Sequence, residues 1–320
     1  MAEETSTTGG PRTSAAASAP ASIGNVGVGF DVLGLAFDAA RDRVTAVREA
    51  APGVRLGAVR GLVDSLPDSP RTNTALAAAQ ALLEGTGARF GVRLSIDKGI
   101  PLSAGMGGSA ASAVAAATAV NALLPEPLPT AELLPFALAG ERISSDPPPW
   151  DNVVAALFGG LVLVARESPG HVHRLPAPAG IVSLLFHPPV QIETKAARQV
   201  LAKEVPMRTA VDHSRRLAAF VAGCATGDVE LLRAGLEDLL VEPQRAPLLP
   251  ALAPVKAAAL GAGALGCSFS GSGPSVFAWA QEREADAVAA AMAAAFRGEG
   301  LAAKGYRAPV DCEGVRLEPA

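Results

Sequence analysis

Residues 99–125 carry no charged side chain, and this stretch constrains the fold more than any other. Twenty-seven uncharged residues are enough to cross a bilayer, which takes about 20 apolar residues in a helix. The residue types argue against a span. The segment opens as IPLSAGMGGS and runs out in NALLPEPLP, and its middle is Ala and Thr rather than Leu and Ile. Asn121 would sit in lipid, and no Lys/Arg asymmetry flanks the segment to orient it. The better reading is a loop feeding a buried helix, with no membrane partner.

A chain of 320 residues holds one large or two ordinary domains around a sizeable core. Hydrophobic residues make up 49 % but aromatics only 4 %, so small residues carry the apolar content. That balance excludes a disordered chain. The net charge of −4 excludes a nucleic-acid binder that relies on a general basic field. Cys224, Cys267 and Cys312 are odd in number and widely spaced, so they suggest buried thiols in a reducing, cytoplasmic compartment. No secretory signal opens the chain, and Glu3 and Glu4 argue against a transit peptide. Residues 1–17, polar and aperiodic, read as a disordered tail.

Alternation predicts strands at 43–49 and 91–98, the second with Val92, Leu94 and Ile96 inward. Helical patterns cover 73–84 and 130–141, and LVLVA at 161–165 reads as a strand. The turn-rich SPGHVHRLPAPAG suggests a boundary near 170–180, separating domains at 18–175 and 176–320. The second half begins with a strand at 181–186. Helices are expected at 194–203, 212–225, 228–240, 248–261 and 285–296, and strands at 264–270 and 276–280. Strands and helices mix without regular βαβ order, which favours α+β over a doubly wound sheet.

The run from Pro101 to Ser112 joins a strand to a helix through Gly105, Gly107 and Gly108. Glycines let backbone N–H groups approach an anion, and a helix N-terminus adds about half a positive charge there. Ser109 and Ser112 lie three apart on one helix face. Neither a Walker lysine nor a GxGxxG pattern is present. Alone, such a run leaves an anion site and a tight turn both open.

Together with its neighbours the run resembles the second signature of the GHMP kinases, usually PxxxGLGSSAAS and here PLSAGMGGSAAS. The first signature, PASIGNVGVGFDVLG at 20–34, looks like that of the family's homoserine kinases. The third, GCSFSGSGPS at 266–275, is similar to the family's C-terminal glycine turn. With Asp151-Asn152 and Gly159-Gly160, the resemblance covers roughly residues 18–310. It implies a two-layer α+β GHMP-kinase fold: an N-terminal domain like ribosomal protein S5 domain 2 and a C-terminal ferredoxin-like domain. The implied activity is transfer of phosphate from ATP, with Mg²⁺, to the hydroxyl of L-homoserine in threonine biosynthesis. Dimers are common in the family, which leaves a homodimer open.

The resemblance also implies roles. Asn25 would orient the acceptor hydroxyl and Asp31 bind the ammonium, although an Asn and an Asp among glycines are equally turn residues. Arg198 and Arg245 would hold the carboxylate, a task suited to a planar guanidinium. Glu141 and Ser109 would hold Mg²⁺. Asp151, followed by substrate-facing Asn152, would accept the hydroxyl proton or position the acceptor. ATP would lie against Asn73, Lys98, Pro101, Ser103, Ala104, Gly105, Met106, Gly107, Gly108, Ser109, Ala110 and Ser112.

Two positions depart from the family pattern. Gly108 replaces the first Ser of GSSAAS, and Pro149 stands where a His before Asp-Asn is usual. Trp150 either walls the pocket or caps the core. Two alternatives stay open: a GHMP-type kinase with another alcohol acceptor, and a non-catalytic binding protein on the same fold.

Overall fold

The computed structural model describes residues 12–319. The chain starts with β1 (Ser14–Gly24), which pairs antiparallel with the long β2 (Leu33–Glu49) along its whole length. β3 (Val54–Gly61) and helix α1 (Thr74–Gly85) lead to β4 (Gly91–Lys98), which pairs with β2 and lies parallel to β3. Helix α2 (Gly108–Asn121) follows the glycine loop. Then come α3 (Leu134–Glu141), α4 (Trp150–Phe158), β5 (Leu161–Val164) and β6 (Val172–Leu175).

The second half opens with β7 (Ile181–His187). It continues through α5 (Thr194–Gln199), α6 (Met207–Thr226), α7 (Val229–Gly235), α8 (Glu242–Arg245) and α9 (Leu252–Gly261). β8 (Gly266–Phe269), β9 (Val276–Gln281), α10 (Ala285–Gly298), β10 (Lys304–Pro309) and β11 (Arg316–Glu318) complete it. One sheet runs β11-β1-β2-β4-β3, with β5 on β2 and β6 on β5. The other runs β10-β7-β9-β8.

The uncharged segment is the spine of the first core. Helix α2 is buried on nearly every side, and its alanines let it sit directly on β1 and β2. No helix among the described residues is long and apolar enough to cross a membrane.

In the second sheet the alternation separates two faces. Val276, Ala278 and Ala280 pack with α9 and α10, whereas Phe277 and Trp279 join the first core, with Trp279 against Phe220 of α6.

Several expectations change. Residues 14–17 are not tail: Ala15, Ala16 and Ala17 are buried in β1. Covered on both faces, β1 has no polar alternation, and its small residues carry no strand signal. Residues 1–11 of the expected tail lie outside the described residues. β11 returns to pair with β1, so the spatial division crosses the sequence boundary at 176. The helix expected at 228–240 ends at Gly235, and Leu236 leaves the helical region (φ −81°, ψ 45°); Gly235 packs so closely on Phe220 that a Cβ there would strike its backbone. Asp238 then accepts the amide protons of Leu240, Val241 and Glu242 and starts a new turn.

Candidate active site

The three glycine-rich signatures meet. The Gly271 amide donates to Gly24 O (3.1 Å), Ser270 Oγ donates to Gly105 O (2.6 Å), and the Ser22 amide donates to Met106 O (3.0 Å). The Ser275 amide reaches Ala104 O. Residues from three distant segments thus hold one another through main-chain groups, which explains the glycines. Gly105 (φ +69°) would drive a Cβ into Gly273 O, and Gly107 (φ +63°) would drive one into Ser22 Oγ.

Gly107 caps α2 in the left-handed region without a side-chain bond, leaving the first turn's amides facing a cleft of about 560 Å³. This is an anion-binding arrangement. Every expected site residue lines the cleft except Ala110, which is buried within α2.

Glu141, at the end of α3, is 3 % exposed. Its Oε1 accepts from Ser109 Oγ and Ser144 Oγ, both at 2.8 Å, while Oε2 is buried without a partner. Burial pushes the carboxyl up to about 7, against hydrogen bonds from Ser109 and Ser144 that lower it. An orphaned carboxylate oxygen beside a serine hydroxyl fits Mg²⁺, which takes one or two carboxylates and fills its shell with water and phosphate oxygens.

Asp151 sits in the first turn of α4. Its Oδ2 accepts the Asn25 amide (3.0 Å) and its Oδ1 accepts Asn152 Nδ2 (3.2 Å). Burial, then the Asp31 charge, raise it to about 6. Asn152 Oδ1 accepts from Ser22 Oγ (2.8 Å).

Asn25 adopts φ +67° and is braced on both sides. Nδ2 donates to Gly271 O and Oδ1 accepts the Asp31 amide. Asn25 thus forms the turn and also lines the cleft.

Asp31 and Arg198 form a bidentate pair, 3.0 and 2.9 Å. Arg245 is buried. Its Nε donates to Ala197 O and its Nη1 to Gly271 O, and burial, then the Arg198 charge, lower its pKa. Phe30 presents its ring to both guanidinium groups, at 5.7 Å for Arg198 and 5.3 Å for Arg245.

Asn73 caps α1, accepting the amides of Ala75 and Leu76, and its Nδ2 donates to Pro67 O. Lys98 is 3 % exposed, with its ammonium on Asp42, Ser112 and Gly108 O. Trp150 packs against the core, and Pro149 faces the cleft.

Phe30, Asp42, Ser22, Ser144 and Ser270 were not singled out from the sequence. Phe30 and Ser22 lie inside the first signature and Ser270 inside the third. Asp42 is one of three acids in β2, with Asp38 and Glu49, and no spacing signal sets it apart.

Residues 73–160 match the model of the GHMP kinases N terminal domain, and residues 219–298 match GHMP kinases C terminal. A homoserine kinase from Xanthomonas campestris pv. campestris is 47 % identical over 95 % of this chain and 94 % of its own. The chain belongs to the GHMP kinase family, among its homoserine kinases. A homoserine kinase from Xylella fastidiosa is likewise 47 % identical over the same shares.

The crystal structure of homoserine kinase from Cytophaga hutchinsonii superposes with a TM-score of 0.92. It is 37 % identical and covers 97 % of this chain and 99 % of that one. L. major mevalonate kinase in complex with R-mevalonate shares the fold at a TM-score of 0.66 and 17 % identity, covering 95 % of this chain and 98 % of its own. The α+β GHMP-kinase architecture expected from the signatures is thus the one observed.

Proposed function

We propose that this GHMP kinase transfers the γ-phosphoryl group of ATP to the hydroxyl of L-homoserine, giving O-phospho-L-homoserine on the route to threonine. The observation that carries the reading is the Asp31–Arg198 pair in the same cleft as Asp151 and the N-terminus of α2. A carboxylate and a guanidinium side by side are the counter-charges that an amino acid's ammonium and carboxylate require. The named relatives are homoserine kinases.

The triphosphate lies along residues 101–109, where the amides of the first turn of α2 and the glycine loop accept negative charge without a lysine. Asn73 borders the nucleotide end, its side chain already holding the start of α1. Glu141 and Ser109 hold Mg²⁺, which when bound neutralises charge on the phosphate oxygens. Asp31 takes the acceptor's ammonium, and Arg198 with Arg245 its carboxylate. Asn25 and Asn152 border the hydroxyl.

The hydroxyl oxygen forms its bond to the γ-phosphorus as the bond to the bridging oxygen breaks, and ADP leaves. Asp151, lifted to about 6 and aimed by the Asn25 amide, receives the hydroxyl proton as that bond forms. A lifted value suits this role better than an ordinary carboxylate does. ATP and free amino acids are cytoplasmic metabolites, which supports a cytoplasmic location.

Purified protein with ATP, Mg²⁺ and L-homoserine should release ADP in a coupled assay. Turnover of another small alcohol but not of homoserine would overturn the acceptor and keep the kinase. Pro149 at the cleft wall, in place of the usual His, makes that arm worth running with a panel of hydroxy amino acids.

A further inference from the structure

Asp42 is fully buried on β2, next to the irregularity where β2 slips against β1 between Pro20 and Ala21. Its Oδ1 accepts the amides of Gly99 and Ile100, both at 3.1 Å, at the entrance of the glycine loop. Its Oδ2 accepts Ser112 Oγ (2.6 Å) and the Lys98 ammonium. Lys98 in turn donates to Gly108 O (3.1 Å) and Ser112 Oγ (3.0 Å). An ammonium has three protons, and these three acceptors engage all of them. A Cβ at Gly108 would crowd Ile100 Cγ2 at 3.1 Å and would stand 3.5 Å from Lys98 Nζ, an ordinary contact.

We infer that Asp42 is the positioning residue of the phosphate loop, and that Lys98, although it borders the cleft, spends its ammonium on the loop and does not meet phosphate. One carboxylate ties the end of β4 to Ser112 of α2, and through Lys98 to Gly108 at the start of that helix, the two ends between which the loop is strung. The lysine charge is neutralised inside the fold, so the loop itself meets phosphate through main-chain amides and not through a lysine. The inference rests on the reading that this loop binds nucleotide.

Titration calorimetry with MgADP tests it on the intact chain. Asp42→Asn strands a buried ammonium and Lys98→Met strands a buried carboxylate, so each should weaken MgADP about 30-fold or more. Asp42→Asn/Lys98→Met removes both charges together. It should bind within about fivefold of wild type, as expected when a buried pair is replaced by neutral groups, and with the same salt dependence. A folded double variant that binds as weakly as Lys98→Met, with a shallower salt dependence, would overturn the inference.

A measurement on the wild type needs no variant. Lys98 should resist an amine-acylating reagent equally with and without MgADP. Labelling of the free protein that MgADP prevents would mark a phosphate ligand and overturn the inference. If wild type binds MgADP but does not turn over homoserine, the acceptor reading fails and this one stands. No nucleotide binding at all would sink both.

Discussion

Asp31 and Arg198 grip each other through two parallel hydrogen bonds, joining the first glycine signature to helix α5 across the cleft. Their side chains are 38 % and 31 % exposed. A pair this open contributes at most about 1 kcal/mol to stability. The two groups proposed to meet a zwitterion's opposite charges satisfy each other in the free chain. Binding homoserine then exchanges one ion pair for two.

The exchange makes Asp31→Asn selective. Thermal stability should move little, while the KM for homoserine rises about 30-fold or more, the loss expected when a desolvated charge pair is truncated. The KM for ATP should hold. Steady-state kinetics beside a melting curve check this, and a large fall in melting temperature with an unchanged homoserine KM would make Asp31 a structural residue only.

Asp151 and Asp31 are coupled by charge. Burial is the first cause of the rise of Asp151 to about 6, and the Asp31 carboxylate is the second. The ionised form is the one that accepts a proton, so kcat should climb as pH rises through about 6. Asp31→Asn removes a raising charge, so the acid limb should shift to lower pH. Asp151→Asn should lower kcat about 100-fold or more, the usual contribution of a positioned proton acceptor. A pH–rate profile of both variants tests the coupling. An acid limb that stays put in Asp31→Asn would contradict it.

Glu141 gives a stability prediction with a definite direction. Its carboxyl titrates at about 7 in the fold against an ordinary 4.5, because of burial. Between those values the folded chain holds a proton that the unfolded chain has lost, so its stability falls as pH rises through that window. Asp151, at about 6 against 3.8, acts in the same direction. Glu141→Gln should therefore raise the melting temperature of the free protein at pH 8 and flatten its slope between pH 5 and pH 8. The same variant should lose Mg²⁺-dependent turnover. Proton release on binding MgATP near pH 7, measured in buffers of different ionisation heat, should vanish with it.

How much of this was legible depends on how local the cause is. The glycine loop, α2 and β4 were readable, because turn chemistry and alternation act within a few residues. β1 was not, because eleven residues, nearly all small, enclosed between two strands and α2 show no period. Asn25, Asp31 and Arg198 were named from motifs, but their mutual bonds join residues up to 167 apart. Asp42 lay beyond reach for the same reason: its partner Lys98 is 56 residues away. Of the two readings of Trp150, pocket wall or core cap, the structure has the second. The side chain packs against the core, so Trp150→Phe should leave any homoserine-induced emission change in place.

Gly107 ties the phosphate loop to Asp151, the proposed proton acceptor. Its left-handed backbone alone costs a non-glycine residue about 1–2 kcal/mol. A Cβ would also run into Ser22 Oγ and stand 3.0 Å from Asn152 Oδ1. Ser22 Oγ donates to Asn152, and Asn152 donates to Asp151, so the intrusion pushes along a chain that ends at the group proposed to receive the proton. Gly107→Ala should therefore reduce kcat as well as ATP affinity, although residue 107 lies on the phosphate side. Ser22→Ala removes the struck oxygen at the expense of one hydrogen bond. Combined with Gly107→Ala it should recover part of the lost kcat, a coupling of about 0.5–3 kcal/mol between touching residues. Strictly additive losses in that double-mutant cycle would show that strain at the helix cap, and not contact with Ser22, makes glycine necessary there.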